Sequence, residues 1–115
     1  PAVARKKIVI IDDEEDLCHL MKRYFADLNY DVFFATTLGS GMRLMKEVLP
    51  DVVFLDNNLP DGLGWDRMDY LAEHYPDCKF NLISAYKYIP PHFDSRPAVK
   101  ILEKPLSLSA LKAYL

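Results

Sequence analysis

No uninterrupted apolar stretch in this sequence approaches the roughly 20 residues that a membrane-spanning helix requires. The opening residues Pro1-Ala2-Val3-Ala4-Arg5-Lys6-Lys7 lead straight into a strand pattern, without the apolar core of a secretory leader. A cytoplasmic location is therefore expected. An excess of basic residues is missing as well. The net charge is −3 with both signs interspersed, which excludes the footprint of a nucleic-acid binder. The two cysteines, Cys18 and Cys78, lack metal-ligand spacing and are too few for a disulfide framework. Cys18 reads as a small core residue on the first helix. Repeats and low-complexity segments are absent.

What is present is enough apolar material for one real core. Half of the 115 residues are hydrophobic, which fits a single domain over residues 1–115. Apolar runs of strand length alternate with longer amphipathic stretches, the pattern of a parallel sheet with crossover helices. Strands are expected over 7–11, 31–35, 51–55, 79–84 and 100–103. The third is apolar enough to be covered on both faces.

Helices are expected over 14–28, 37–49, 65–74 and 107–115. The first carries Leu17, Leu20, Met21, Phe25 and Leu28 on one face. Its first turn is crowded with Glu14, Glu15 and Asp16, where the helix dipole favours acids. Thr37 caps the second, with Leu38, Met42, Met45 and Leu49 facing the core and Pro50 as its stop. Trp65, Met68 and Leu71 share the apolar face of the third, and Ser107 caps the last. Between residues 57 and 64 lies a loop dense in turn formers. Pro90, Pro91 and Pro97 break the segment where a fourth crossover helix belongs, so that helix is expected to be shortened or irregular. Right-handed crossovers then give a flavodoxin-like, doubly wound α/β sheet of order 2-1-3-4-5.

Ligand sites in such sheets form where strand ends meet at a switch in strand order. Asp12 and Asp13 end the first strand, Asp56 ends the third, Ser84 ends the fourth and Lys104 follows the fifth. Each has an ordinary explanation alone: adjacent aspartates solvate a helix start, and a Lys-Pro pair is common in surface loops. Their combination is what matters. Three carboxylates about 5 Å apart repel by roughly 3 kcal/mol per pair at an effective dielectric near 20. Such a group needs protonation, an ammonium or a cation to compensate. Mg²⁺, a hard ion that accepts one or two carboxylates, a carbonyl and waters, leaves a position for a phosphate oxygen. Lys104 supplies a compact charge able to reach carboxylate or phosphoryl oxygen. A cis bond to Pro105 would aim it back over the strand ends. Ser84 supplies a hydroxyl, and the small Ala85 leaves access open.

These residues resemble the receiver domain of two-component response regulators over essentially the whole chain. The matching pieces are Ile10-Ile11-Asp12-Asp13-Glu14, Leu55-Asp56 followed by Pro60 and Gly64, Ser84-Ala85, and Lys104-Pro105. The resemblance implies that Asp56 accepts a phosphoryl group from a sensor histidine kinase or a histidine phosphotransfer domain. It implies Mg²⁺ held by Asp13, Asp56 and the backbone carbonyl of Asn58, with Asp12 acting through water. Ser84 and Lys104 would contact the phosphoryl group and signal its presence. The domain would be a switch that catalyses only its own phosphorylation and dephosphorylation. The resemblance also implies neither membrane nor direct nucleic-acid contact. A homodimer through the face of the fourth helix, fifth strand and last helix is a further expectation, and an output domain that follows is another.

The chain departs from the family pattern in places. Ile101 stands three residues before the lysine, where an aromatic usually reports phosphorylation. The Ser84 to Lys104 interval is short, and Tyr86, Tyr88 and Phe93 within it read as cover for that segment, the alternative being that one of them replaces the missing aromatic. Tyr86, two residues after the hydroxyl position, flanks the expected path of the hydrolytic water and would slow hydrolysis. A pseudo-receiver, an interaction module that works without phosphorylation, is therefore the alternative. An aspartyl-nucleophile phosphatase needs a second aspartate two residues after Asp56, where this chain has Asn58. A flavin-binding relative would have its cofactor phosphate repelled by the acidic strand ends. His19, His74 and His92 are isolated from the acidic group and read as solvated or helix-end residues.

Overall fold

The computed structural model describes residues 4–85 and 99–115. Five parallel strands form the central sheet: β1 (Lys7–Ile11), β2 (Asp31–Ala35), β3 (Val52–Asp56), β6 (Lys79–Ser84) and β7 (Val99–Glu103). Between them, β4 (Asn58–Leu59) and β5 (Gly62–Leu63) make a separate antiparallel pair. The sheet order is β2-β1-β3-β6-β7. With the small pair set aside, this is the expected 2-1-3-4-5 arrangement. Among the described residues four helices lie on it: α1 (Glu15–Asp27), α2 (Leu38–Val48), α3 (Trp65–His74) and α4 (Leu108–Leu111). A 3-10 turn, Lys112–Tyr114, follows the last.

The alternation of strand side chains sorts the core into two layers. Val9, Ile11, Val53, Leu55 and Leu82 face one side and meet α2 and α3 through Met45, Met68 and Leu71. Ile8, Ile10, Val52, Phe54 and Ile83 face the other, against α1 and α4 through Met21, Phe25 and Leu111. Phe25 stacks on Phe54 with centroids 5.2 Å apart. Both rings are fully buried, so truncating either to alanine costs about 3–5 kcal/mol. Every residue of β3 is buried, as its unbroken apolar run requires for the middle strand.

Local chemistry sets the helix ends. Thr37 Oγ1 accepts the Ser40 N–H at 3.1 Å, and α2 stops at Leu49, which is left-handed with φ 53°. Gly41 lets α2 sit close to β1, since a Cβ there would lie 2.7 Å from Ile11 Cδ1.

The structure corrects several sequence-based expectations. Leu20 is 56% exposed and Leu49 65% exposed, so neither belongs to the apolar face assigned to it. Cys18, read as core, takes the inward position on α1 with Met21 and Phe25. β3 runs one residue later than expected and therefore includes Asp56 itself. The loop after it contains the β4–β5 pair, because Pro60 and Asp61 form a turn tight enough for two flanking residues to pair. The last helix is a single turn of four residues rather than nine. Ser107 occupies its N-cap position without making a side-chain cap. The expected shortened fourth helix falls in residues 86–98 and lies outside the described residues. So do Tyr86, Tyr88, His92 and Phe93.

Candidate functional site

Parallel strand pairing brings the singled-out residues to one edge of the sheet. Ile11 pairs with Leu55, which sets Asp12 beside Asp56 at the C-terminal ends of β1 and β3. Asp56 pairs with Ile83, and Ser84 with Glu103, so Ser84 and Lys104 follow on the other side. The Lys104 N–H donates to the Ser84 carbonyl at 2.9 Å. The Lys104–Pro105 bond is cis.

Asp12, Asp13 and Asp56 each place a carboxylate oxygen within 4.8 Å of the others. Asp12 and Asp56 are buried, while Asp13 is exposed. Asp12 Oδ1 accepts the Glu14 N–H at 2.9 Å. Its Oδ2 is buried and has no hydrogen-bond partner among the described residues. Asp56 Oδ1 accepts the Asn58 N–H at 3.4 Å. Lys104 Nζ sits 3.7 Å from Asp12 Oδ2 and 3.8 Å from Asp56 Oδ2, distances of ion pairing rather than hydrogen bonding. It donates instead to Glu14 Oε1 at 3.1 Å.

One ammonium facing two buried carboxylates leaves negative charge in excess, and the proton affinities follow. Burial, then the charge of Asp12, pushes Asp56 up to about 6, against the pull of Lys104 and the Asn58 N–H. Burial also raises Asp12 above the ordinary carboxylate range. For Lys104 burial works against the charged form, but the Glu14 hydrogen bond and the Asp12 and Asp56 carboxylates outweigh it, so its affinity is raised. Three carboxylate oxygens within 4.8 Å of one another, with Asp12 Oδ2 lacking a hydrogen bond among the described residues, fit a hard dication better than they fit the Lys104 ammonium alone. Asp12, Asp13 and Asp56 supply the carboxylate oxygens of that donor set.

The backbone around Asp56 is tightly fixed. Asn57 N–H donates to the Ile83 carbonyl, and the Asn57 carbonyl accepts the Gly64 N–H, both at 2.8 Å. Asn57 Oδ1 accepts the Trp65 N–H at 3.0 Å and so caps α3. Gly64 packs against the chain here: a Cβ would lie 2.9 Å from the Asp56 carbonyl oxygen. Beside the pocket, Cys18 Sγ donates to the Asp12 carbonyl at 3.2 Å, and burial pushes this thiol up to about 12.

Asp12, Asp13, Asp56, Ser84, Lys104 and the Asn58 segment are thus gathered at one strand-end edge. Ile101, in the position noted for its missing aromatic, pairs with Leu82 and packs partly buried against the α2–α3 side of the core. The histidines among the described residues stand apart. His19 packs edge-on against Phe34, and His74 stacks on Tyr70 while bonding its carbonyl. Sequence reading missed three contributors: Glu14 as a lysine partner, Asn57 as the cap of α3 and Asp61 as an acceptor at the start of α2. Each depends on a partner distant in sequence. Only the Asn57-to-Trp65 spacing carries a local hint.

The parallel sheet of this order thus carries an acidic group and a lysine at its carboxyl edge. The response regulator receiver domain family matches residues 8–115, and the chain belongs to that family. It is 27% identical over 112 residues to the response regulator protein PilR of Pseudomonas aeruginosa, covering 96% of this chain and 25% of that protein. The regulatory protein AtoC of Escherichia coli is 23% identical over 124 residues, covering 95% of this chain and 27% of that protein. This chain thus spans about a quarter of the length of those relatives.

Among solved structures, the signal receiver domain of a putative Luxo repressor protein from Vibrio parahaemolyticus superposes with TM-score 0.83 at 25% identity. That match covers 96% of this chain and 86% of that one. A response regulator from Burkholderia pseudomallei shares the fold with TM-score 0.84 at 21% identity, covering 96% of this chain and 66% of that one. That crystal structure contains a phosphorylated aspartic acid and a calcium ion. No helix among the described residues is long and apolar enough to cross a membrane.

Proposed function

We propose that this domain accepts a phosphoryl group on Asp56 from a phosphohistidine, carried by a sensor histidine kinase or a histidine phosphotransfer domain, and passes the change to an output or partner. The observation behind this reading is the buried Asp12 Oδ2, which has an ion pair but no hydrogen bond among the described residues, within a group of three carboxylates that Lys104 alone does not neutralise. Mg²⁺ fits that donor set, held by Asp13, Asp56 and the Asn58 main-chain carbonyl, with Asp12 linked through water. When bound, it would neutralise charge on the transferring group.

Asp56, ionised, supplies the nucleophilic oxygen. A P–O bond forms to its carboxylate as the phosphohistidine P–N bond breaks in line, and the departing imidazole keeps the electron pair and takes a proton. Lys104 swings a short distance from its carboxylate partners to a phosphoryl oxygen, and Ser84 donates its hydroxyl to another. Hydrolysis of the acyl phosphate then resets the switch. The domain acts on itself rather than turning over a free substrate, and it works in the cytoplasm.

Mass spectrometry after incubation with acetyl phosphate and Mg²⁺ tests the reading. One phosphoryl adduct is expected, mapped to Asp56, lost without Mg²⁺ and absent in Asp56→Asn. Ile101, aliphatic and partly buried against the core, favours a second reading in which the fold serves as a phosphorylation-independent interaction module. An unmodified Asp56 under those conditions would support it instead.

A further inference from the structure

The hairpin that carries Asn58 is anchored at its tip. Pro60 and Asp61 form the turn between β4 and β5. The Asp61 carboxylate forks over the start of α2, Oδ1 accepting the Leu38 N–H at 2.7 Å and Oδ2 the Gly39 N–H at 2.9 Å. Both donors are first-turn amides with no partner inside the helix, and the helix dipole favours an anion at that end. Leu59, opposite Gly62 in the hairpin, is buried in the same apolar layer as Leu38. Gly62 takes φ 151°, and a Cβ on it would meet Leu38 Cδ1 at 3.0 Å. At its base the same segment is held by Asn57 and Gly64. Asn58 therefore lies on a strip of backbone fixed at both ends, one end by β6 and α3 and the other by α2.

We infer that Asp61 is a positioning residue for the cation: by tying the hairpin tip to α2 it holds the Asn58 carbonyl at the carboxylate group without touching the ion itself. The inference rests on the proposed Mg²⁺ site. Asp61 is exposed, so its contribution is geometric rather than that of a buried charge. Without the fork the tip is held to α2 only through the apolar contacts of Leu59 and Gly62 with the Leu38 layer, and the Asn58 backbone is less firmly preset.

Mg²⁺ titration of the full chain, followed by backbone amide shifts at 0.15 M KCl, tests this alongside urea unfolding. Asp61→Ala is expected to weaken Mg²⁺ about tenfold, at the low end of what removal of an outer-shell partner does. Asp61→Asn keeps one acceptor and is expected to fall between alanine and the native residue. Thr37→Ala also removes a cap from α2 but leaves the hairpin tied, so its Mg²⁺ affinity is expected to stay native. Equal weakening by Asn and Ala would mean that charge alone acts, and equal weakening by Thr37→Ala would mean general destabilisation; either overturns the inference. A native chain that fails to bind Mg²⁺ at millimolar concentration would instead remove the site on which the inference stands.

Discussion

Glu14 Oε1 lies 3.1 Å from Lys104 Nζ, nearer than either buried aspartate, although the two residues are 90 positions apart. The Glu14 side chain is 59% exposed, and an ion pair so placed contributes at most about 1 kcal/mol. It is a weak tether on the Lys104 ammonium that reaches Asp12 and Asp56. Replacing Glu14 by Gln is expected to leave stability within about 0.5 kcal/mol. Lys104 would then meet a phosphoryl mimic more readily, tightening beryllofluoride capture by about twofold to threefold, given what such pairs are worth. Weaker capture in a titration would show that Glu14 orients the lysine rather than retains it.

Gly64 is held by its neighbour's backbone. An added Cβ would meet the Asp56 carbonyl oxygen at 2.9 Å, Leu82 Cδ1 at 3.0 Å and Asn57 Cα at 3.2 Å. The leucine methyl can move; the two backbone atoms are fixed by the bonds that Asn57 makes to Ile83 and Gly64. Gly64→Ala is expected to cost about 1–3 kcal/mol, as overpacking does. The urea midpoint should fall with an unchanged m-value. A native midpoint would mean that the start of α3 shifts without penalty.

Lys104 is the only cation among the described residues shown pairing with Asp12 and Asp56. Lys104→Ala removes the attraction that holds both carboxylates toward ionisation. The Asp56 midpoint, followed by carboxyl carbon shifts in cation-free protein, is expected to move above about 6. An unmoved midpoint would show that water replaces the ammonium at no electrostatic cost.

Much of this arrangement is legible from local pattern. β1, β2, β6 and α3 have the bounds their apolar periodicity predicts, because each is delimited by charge, turn formers or proline. The strand-end aspartates and Lys104 follow from sheet topology once the strands are placed. Periodicity fails at Leu20, which points about 200° round the helix from Cys18, while Cys18, Met21 and Phe25 hold the inward face. The fixings of the Asn57–Gly64 segment escape for another reason. Asp61 caps a helix that starts 23 residues before it, and a turn-rich octapeptide gives no sign of which backbone amides its acids will meet. Capping signals are readable only when cap and helix are adjacent in sequence.

Folding raises the Asp56 carboxyl from its ordinary 3.8 to about 6, and that direction fixes the sign of its effect on stability. Between those values the native state holds more protons than the unfolded chain, so this group makes stability fall as pH rises. Asp61, whose carboxyl the Gly39 and Leu38 amides hold below the ordinary range, acts in the opposite sense as pH falls, so total stability does not isolate the effect. The difference between native protein and Asp56→Asn does. In cation-free buffer the variant is expected to match the native protein near pH 4 and to exceed it by on the order of 2–3 kcal/mol at pH 7, since each tenfold change in proton affinity is worth roughly 1.4 kcal/mol. Saturating Mg²⁺ should cancel most of that advantage, because a cation stabilises the native carboxylate and binds the variant less well. Urea unfolding at pH 4, 5.5 and 7, with and without Mg²⁺, measures both trends. A gap between the two proteins that stays constant across that range would mean that Asp56 keeps an ordinary proton affinity, solvated despite its burial.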